Sequence, residues 1–371
     1  MPRSILSLAG TWSAAPIGDD KSLPSGPWEV PVPGTLLASL SQQDIVPNFF
    51  WRDQEPLAEP WCLRDYRFTR TFDVPADLLN SPHCFLACEG LDTLAEITIN
   101  GIHVGTADNM HRQWRFPVRD LQEHGNTITV DISSALRYIR QHEKERVLAG
   151  ATDAIAGFSH IRKAHCNFGW DWGPKLPDLG IWREIRLEGH TCARLNDVIT
   201  EQEHHADGTV TLTVTVETES FADAKLTADL ALTSPTGKLI ETLVLPVDGE
   251  RATAQFTIAA PALWWPNGYG KQPLYGLSVT LGCADGPDDD SRAMRLGLRT
   301  VTLQRRKDEW GESFYFEVNG VPIFCKGANW IPEDALHGRI EDDGTAYLLD
   351  SCVDANFNMV RVWGGGHYPC A

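Results

Sequence analysis

The sequence has no long apolar run. None of its hydrophobic stretches approaches the roughly 20 residues that a membrane-spanning helix requires. The apolar run within Met1–Trp12 is too short for a secretory signal peptide, and it leads directly into Pro- and Gly-rich sequence. We therefore expect no membrane partner and a soluble, cytoplasmic protein.

The sequence also has no cluster of lysine and arginine long enough to follow a line of phosphates. It carries 32 Lys and Arg against 50 Asp and Glu, which gives a formal net charge of −18. Because such a surface repels polyanions, nucleic acid and anionic membrane are excluded as partners, and a neutral or cationic ligand is easier to accept.

Paired cysteines are missing as well. The nine cysteines are scattered from Cys62 to Cys370 without CxxC spacing. The nearest pair, Cys84 and Cys88, is not accompanied by two histidines at ligand spacing. The pattern predicts reduced thiols in a cytoplasmic protein, with neither a disulfide framework nor a zinc site.

Two motifs that could bind a cofactor lack their essential partners. Gly364–Gly366 is not part of a GxxxxGK[ST] loop and no helix follows it, so a nucleotide site is not predicted. His142 and Glu143 are not followed by a second histidine at the zinc-protease spacing. We therefore predict no cofactor and no metal.

What is present is the composition of an ordinary folded protein. Hydrophobic residues make up 42% of the sequence and charged residues 22%, and 371 residues suffice for two or three domains. The aromatic content is weighted toward Trp, with 13 Trp against 7 Tyr. Indoles offer flat apolar area and one donor, which suits both sandwich cores and sugar sites.

Residues 1–190 alternate short strands with turns. Tyr66–Val74 places aromatic and polar residues at period two, as a half-buried strand does. Ile97–Val104 holds two such strands joined by Asn100-Gly101, the pair that tolerates the positive φ of a type I′ turn. Arg137–Leu148 is the one helix predicted in this region. The pattern predicts a jelly-roll β-sandwich.

Residues 191–300 predict a second sandwich. Thr209–Glu217 is a strand with valine and leucine on one face and threonine on the other. About seven such strands in roughly a hundred residues suit an immunoglobulin-like sandwich, although the Cys…Trp…Cys pattern of an antibody domain is absent. The acidic run Asp285–Asp290 is predicted to be a solvated loop.

Residues 301–371 follow a different pattern. Phe314–Phe324 is a hairpin on a second Asn-Gly turn, Asp343–Asp354 carries a helical apolar stripe, and Asn358–Gly366 is an apolar strand ending in glycines. Strand, helix and strand within about 40 residues form a βαβ unit, which predicts a parallel sheet or barrel. Because one unit cannot close a barrel, we expect the chain to be the front part of a longer protein.

The candidate ligand-binding stretch is Asn167–Pro174, Asn-Phe-Gly-Trp-Asp-Trp-Gly-Pro. The Asp171 carboxylate can accept hydrogen bonds from two neighbouring hydroxyls, and the indoles of Trp170 and Trp172 can cover the C–H face of a sugar ring. The alternative is a buried corner in which Asp171 accepts from backbone N–H groups or caps a turn. Flanking histidines and a cysteine are interpreted as packing or surface groups: His160, His165 and Cys166.

Two further groups end the predicted barrel strands. Asn329 and Trp330 end the first strand, and Arg361 and Trp363 end the second. Since ligand-facing residues of parallel barrels gather at the C-terminal ends of strands, we expect these side chains on one rim, with an amide and an indole available to the same ligand. The alternative for Trp363 is that it only plugs the top of the barrel.

The order of these units and five local strings resemble glycoside hydrolase family 2, and most closely the β-mannosidases within it. The strings are Phe168–Pro174, Gly180–Arg183, Phe316–Gly320, Lys326–Pro332 and Asn358–Gly366. The Trp-Asp-Trp-Gly-Pro string favours mannosidases over galactosidases and glucuronidases. The resemblance implies a mainly β chain: a jelly-roll sugar-binding domain at 1–190, an immunoglobulin-like β-sandwich at 191–300, and an incomplete (β/α)8 catalytic barrel at 301–371.

The function that the resemblance implies is retaining hydrolysis of terminal, non-reducing β-D-mannose residues. Two glutamates would act as acid/base and nucleophile through a covalent mannosyl-enzyme. The substrate-binding residues that it implies are Trp170, Asp171, Trp172, Asn329, Trp363 and, as the weakest candidate, Arg361.

The same resemblance implies that no catalytic residue lies in this chain, because both family glutamates belong to later barrel strands. Glu333, next to Asp334, is predicted to be a loop or helix-start carboxylate. His367–Ala371 departs from the family pattern, as a frameshift, premature stop or fragment would. We therefore expect an inactive chain. The alternatives are a non-catalytic mannose- or carbohydrate-binding protein and a family 2 hydrolase for another sugar, and the oligomeric state is left open.

Overall fold

The computed structural model describes residues 4–18, 22–283 and 290–366. Within those ranges, no helix has both the length and the apolar character needed to cross a membrane. Residues 285–289 of the predicted acidic loop and the whole of His367–Ala371 lie outside the described part of the chain, so the statements made about them stay predictions.

The chain divides into two compact units, each assembled from separate segments. The segments of the N-terminal unit are Ile5–Gly189, Trp330–Ala346 and the stretch that begins at Val362. Those of the central unit include His190–Asn329 and Tyr347–Arg361.

The N-terminal unit is a β-sandwich. Its strands are β1 (Ser4–Ser7), β2 (Gly10–Pro16), β3 (Trp28–Val32), β4 (Tyr66–Phe72), β5 (His83–Cys88), β6 (Leu94–Ile99), β7 (Ile102–Ala107), β8 (Trp114–Pro117), β9 (Asn126–Ser133), β10 (Phe168–Trp170), β11 (Gly173–Lys175) and β12 (Ile185–His190). One sheet has the order β1-β12-β5-β8 and the other β3-β2-β4-β9-β6-β7, while β10 and β11 form a separate hairpin. A single apolar core joins both sheets, so the predicted sandwich is confirmed.

The Asn-Gly hairpin has the predicted geometry. Ile99 pairs with Ile102 across the turn between β6 and β7. Asn100 has φ 53° and Gly101 has φ 78°, the two positive values that a type I′ turn requires.

The helices of the N-terminal unit correct one prediction. They are α1 (Leu36–Gln42), α2 (Glu59–Cys62), α3 (Ala76–Leu79) and α4 (Ala135–Glu145). Helix α4 is the one expected at Arg137–Leu148, but the prediction of a single helix is wrong. The first turn of α1 is capped from far along the chain, because the carboxylate of Asp178 accepts hydrogen bonds from the N–H groups of Leu37 (2.8 Å) and Ala38 (3.3 Å).

The central unit is a second sandwich. Its strands are β13 (Ala193–His204), β14 (Val210–Ser220), β15 (Leu226–Thr233), β16 (Leu239–Pro246), β17 (Arg251–Ile258), β18 (Tyr275–Cys283), β19 (Asp290–Leu296), β20 (Val301–Gln304), β21 (Tyr315–Val318) and β22 (Val321–Ile323). Two sheets share one core, in the orders β13-β14-β17 and β16-β15-β18-β19. Strand β14 alternates buried and half-buried residues along its length, as its Val, Leu and Thr pattern predicts.

A disulfide in the central unit overturns the prediction of reduced thiols throughout the chain. Cys192, just before β13, is bonded to Cys283 at the end of β18. The two residues lie 91 positions apart without a local spacing motif, so no pattern in the sequence predicted their pairing. Six other cysteines in the described ranges are free thiols. The cytoplasmic location stays a prediction.

The predicted strand–helix–strand unit is present as β23 (Gly327–Trp330), α5 (Asp342–Asp354) and β24 (Met359–Val362). The N–H of Met359 donates to the oxygen of Lys326 and that of Trp363 donates to the oxygen of Trp330. Because the offset between bonded residues is the same at both ends, the strands are parallel. Asn356, predicted to stop the helix, has φ 59° and lies two residues after the last residue of α5.

Candidate functional site

The Trp-Asp-Trp stretch forms a tight β-hairpin. Strands β10 and β11 pair Phe168 with Lys175 and Trp170 with Gly173, so that Asp171 and Trp172 are the two turn residues. The base of the hairpin is buried: the Phe168 side chain is inaccessible, and its carbonyl accepts from the N–H of Ile155 at 2.8 Å. A buried base fixes where the exposed tip points.

Asp171 lies at the tip of the hairpin. Its side chain is exposed, and among the residues that the structure describes its carboxylate takes part in no hydrogen bond or ion pair. The buried-corner alternative requires the carboxylate to accept backbone N–H groups, and it therefore does not fit this hairpin. The two oxygens of Asp171 are available to a ligand.

Three indoles surround this tip and form what we call the indole cluster: Trp170, Trp172 and Trp363. The ring of Trp363 meets that of Trp170 edge-to-face, with centroids 4.9 Å apart, and that of Trp172 with centroids 5.4 Å apart. Trp172 keeps 37% of its surface exposed. Trp363 also packs against a small apolar cluster of the N-terminal unit. It therefore supports the hairpin and is not confined to plugging the end of a barrel.

The glycines after Trp363 have a steric function. A Cβ at Gly365 would collide with the six-membered ring of Trp363, and a Cβ at Gly366 would collide with the ring of Pro332. Glycine is thus required for the chain to fold back closely over the indole. This close packing accounts for Gly365 and Gly366, whereas a Cβ at Gly364 would meet nothing within 4 Å.

The other two predicted site residues lie together in the central unit. Arg361 donates from Nη1 to Oδ1 of Asn329 at 3.0 Å, which links the ends of β24 and β23. Both side chains line a concavity of about 310 Å³, whose lining residues are Cys325, Gly327, Ala328, Asn329, Met359 and Arg361. The contact orients the Asn329 amide, and the predicted substrate contact of this pair stays a prediction.

The flanking groups pack as expected. His160 lies 3.0 Å from the carboxylate of Glu143. The imidazole of His165 packs edge-on against Phe158 at 4.7 Å, and burial lowers its pKa. Burial raises the pKa of the Cys166 thiol to about 12, so it stays protonated at neutral pH. Within the described residues, no cluster of three or more His, Cys, Asp or Glu is placed to hold a metal ion.

Glu333 is a loop carboxylate next to α5, as predicted, and Asp334 follows it in the same loop. Both oxygens of the Glu333 carboxylate accept from the hydroxyl of Thr345, in the first turn of α5, at 2.9 and 2.8 Å. Asp334 accepts from Nε of Arg339 at 2.9 Å. Both carboxylates thus form hydrogen bonds within the local structure.

One set of contacts behind the hairpin was not predicted. The N–H of Cys166 donates to the oxygen of Gly365 at 3.0 Å, and Nδ2 of Asn167 donates to the oxygen of Ala335 at 3.3 Å. Sγ of Cys166 lies 3.7 Å from Nε2 of His337. The bonded residues are about 170 to 200 positions apart, and no sequence motif encodes such pairs.

Two family models match the chain in succession. The model described as "Glycosyl hydrolase 2 galactose-binding domain-like" matches residues 12–183, and the model described as "Glycosyl hydrolases family 2" matches residues 193–299. The chain belongs to glycoside hydrolase family 2. The first match ends beyond β11, so the Trp-Asp-Trp hairpin is part of the domain that precedes the family's central sandwich.

Curated relatives of this family 2 chain are β-mannosidases, as the local strings predicted. It is 30% identical to the β-mannosidase of Mus musculus over 380 residues, which cover 98% of this chain and 42% of the mouse protein. It is 37% identical to β-mannosidase B of Emericella nidulans over 293 residues, 76% of this chain and 34% of the fungal protein. The chain therefore spans less than half the length of these relatives.

Solved structures agree in fold. The β-D-mannosidase of Dictyoglomus thermophilum superposes with a TM-score of 0.91 at 32% identity, over 99% of this chain and 45% of that one. The exo-chitosanase of Amycolatopsis orientalis superposes with a TM-score of 0.72 at 19% identity, over 97% of this chain and 41% of that one. The second likeness concerns the fold alone.

Proposed function

We propose that this chain carries the sugar-recognising part of a retaining β-mannosidase, which hydrolyses terminal, non-reducing β-D-mannose residues. The observation that carries the proposal is the exposed Asp171 carboxylate, which has no partner among the described residues and is set between two indoles at a two-residue turn. The likeness to β-mannosidases along nearly the whole chain supports it.

The chemistry assigned to Asp171 is binding, not catalysis. A carboxylate at a hairpin tip can accept from two vicinal hydroxyls at once, while the indole cluster covers the apolar face of the pyranose. Trp170, Trp172 and Trp363 supply that apolar surface. Asn329 and Arg361 are proposed as further substrate-binding residues, the amide of Asn329 being oriented by its hydrogen bond from Arg361.

We also propose that β23, α5 and β24 begin a (β/α)8 barrel and that both catalytic glutamates are supplied by sequence beyond these 371 residues. Retaining glycosidases need two carboxyl groups roughly 5–5.5 Å apart across the scissile bond. Glu333, the glutamate that follows β23, accepts from the hydroxyl of Thr345 through both oxygens, and we assign it a local structural role. The chain alone is then expected to bind a mannoside without hydrolysing it.

Calorimetric titration of the full 371-residue chain with methyl β-D-mannoside tests the binding. Hydrogen bonds to a charged group contribute about 1.5–3 kcal/mol, so Asp171→Ala should weaken affinity by about tenfold or more. Asp153→Ala removes an exposed carboxylate from the neighbouring loop and is the matched control, expected to leave affinity unchanged. Equal affinities of all three proteins would refute the assignment of Asp171.

An aryl β-mannoside assay of the same chain tests the missing chemistry. We expect no turnover above the rate without protein, because the resemblance implies that both catalytic glutamates belong to later barrel strands. Robust turnover would place the acid/base and the nucleophile within these 371 residues. Mannoside binding without turnover, persisting after fusion to a complete barrel, would favour the alternative of a non-catalytic carbohydrate-binding protein.

A further inference from the structure

The segment immediately before the Trp-Asp-Trp hairpin is unusually well fixed. His165–Asn167 form a short 3-10 helix whose last two side chains are buried, with Cys166 4% and Asn167 2% exposed. Through Cys166 the segment bonds to the chain after Trp363, and through Asn167 it bonds to the loop between β23 and α5. The two loops that follow the parallel strands are thus both attached at the root of the hairpin.

The Asn167 amide is not explained by packing. Its Nδ2 donates to the oxygen of Ala335, whereas its Oδ1 is buried and, in the described part of the chain, accepts no hydrogen bond. A buried amide with an unpaired oxygen loses the hydration of that oxygen and gains nothing in return. Leucine, of similar shape, would fill the same space without that loss.

The position of Asn167 links its amide to the placement of the hairpin. Asn167 lies three residues before Trp170 and four before Asp171, and strand β10 begins at Phe168. On the other side, the Cys166 N–H bonds to Gly365, two residues after Trp363. A shift at Asn167 would therefore move the hairpin relative to Trp363 and change the spacing between the Asp171 carboxylate and the indole cluster.

We propose that Asn167 is a positioning residue for the sugar subsite: its amide N–H, bonded to Ala335, sets the spacing between the Asp171 carboxylate and the Trp363 indole. The proposal rests on the proposed function for the identity of the ligand. Its geometric part concerns only the protein and is measurable without a sugar.

The first experiment reads the indole cluster directly. The full chain is labelled with 5-fluorotryptophan, and the ¹⁹F resonances of Trp170, Trp172 and Trp363 are assigned by single Trp→Phe changes. Asn167→Leu should shift the three cluster resonances. Asn80→Leu also removes an amide that donates to a backbone oxygen (Ala76, 2.7 Å), but at an exposed helix end of the same unit, and should shift none of them. Unshifted cluster resonances in Asn167→Leu would overturn the proposal.

The second experiment separates positioning from a structural role. Leucine removes the unpaired Oδ1 but also leaves the oxygen of Ala335 without the donor from Asn167, and because these two changes oppose each other, the urea midpoint of Asn167→Leu should lie close to that of the wild-type chain. A purely structural Asn167 predicts a lowered midpoint with unchanged resonances. Asn167→Ala is the second variant if leucine does not fit. Asn167→His, which keeps an N–H the same number of bonds from Cβ, should restore part of the wild-type spectrum.

The third experiment tests whether the geometry set by Asn167 affects ligand binding. Asn167→Leu should weaken methyl β-D-mannoside binding by about fivefold or more, while Asn80→Leu binds as the wild type does. If Asp171→Ala has no effect on mannoside binding but Asn167→Leu still shifts the indole resonances, the proposed function fails and the positioning proposal stands in its geometric part. If Asn167→Leu shifts the resonances yet binds mannoside as tightly as the wild type, the subsite claim for Asn167 is overturned.

Discussion

Apolar side chains have opposite environments in the two sandwiches and in the β23–α5–β24 segment. In β14, the valines and the leucine of the inner face are at most 1% exposed. In α5 no residue is buried, although its apolar stripe has the helical spacing of a packed helix. All four residues of β24 are exposed. Apolar residues at regular spacing are thus buried in the sandwich and exposed in the β23–α5–β24 segment.

The difference follows from what each arrangement needs in order to be complete. An antiparallel sandwich closes on itself, because two sheets cover each other's apolar faces. A parallel pair has two faces to cover, and one crossover helix can cover at most one of them. The exposed apolar surface of α5 and β24 is what a growing barrel would bury, and this supports the proposal that the segment begins one.

The largest expected effect is a substitution in the N-terminal core. Trp12 is 1% exposed, and its Nε1–H donates to the oxygen of Leu8 at 2.8 Å. Trp12→Ala should lower the free energy of unfolding by about 3–5 kcal/mol, because it leaves a large cavity in the core. Urea denaturation followed by circular dichroism measures the change.

Trp310→Ala is the matched control for that substitution. Trp310 keeps 87% of its surface exposed, so removing its indole should change the free energy of unfolding by no more than about 0.5 kcal/mol. Similar losses in both variants would mean that burial does not distinguish these regions.

The second prediction concerns alkaline pH and the buried thiols of the N-terminal unit. Burial raises the pKa of Cys62 and Cys88, and it raises that of Cys166 to about 12. A folded-state pKa above the ordinary 9.0 favours the protonated thiol, so its contribution is complete below pH 9 and is lost as the pH rises toward the raised value. The loss amounts to at most about 1.4 kcal/mol per thiol per pH unit.

Urea midpoints at pH 8, 9 and 10 measure this loss. We expect a constant midpoint between pH 8 and 9 and a decline above pH 9. Cys88→Ala should make the decline shallower by the share of one thiol. A midpoint that does not fall between pH 9 and 10 would contradict the assignment of these thiols as buried and protonated.

Sequence patterns predicted the parts of the fold that depend on near neighbours. Period-two alternation is visible within one strand, and the Asn100-Gly101 pair specifies its turn through backbone sterics alone. Helix α1 was missed because its cap, Asp178, comes from more than 140 residues away, and the Cys192–Cys283 bond was missed for the same reason. Contacts between distant segments are a property of the folded chain and leave no local trace.

The candidate site divides in the same way. The proximity of Asp171 to its two neighbouring indoles follows from their order in the chain, and their binding of a sugar stays a proposal. The contacts of Trp363 with both hairpin indoles were not predictable, and neither was the bond between Asn167 and Ala335. These contacts depend on how the loops after β23 and β24 pack against the hairpin. The family resemblance implied only that Trp363 binds substrate together with the hairpin residues.

The smallest expected change in the free energy of unfolding is for a substitution in the exposed helix α5. Val353 is 53% exposed, so Val353→Ser should change the free energy of unfolding by no more than about 0.5 kcal/mol.

A helix without buried residues opens locally at little cost, and limited proteolysis should therefore make its first cut within Asp342–Asp354. The preceding loop should resist, because Leu336 is completely buried and His337 nearly so. A first cut at residues 335–338, with α5 intact, would show that the helix is held by more than the contacts described and would remove the contrast from which the barrel proposal draws its support.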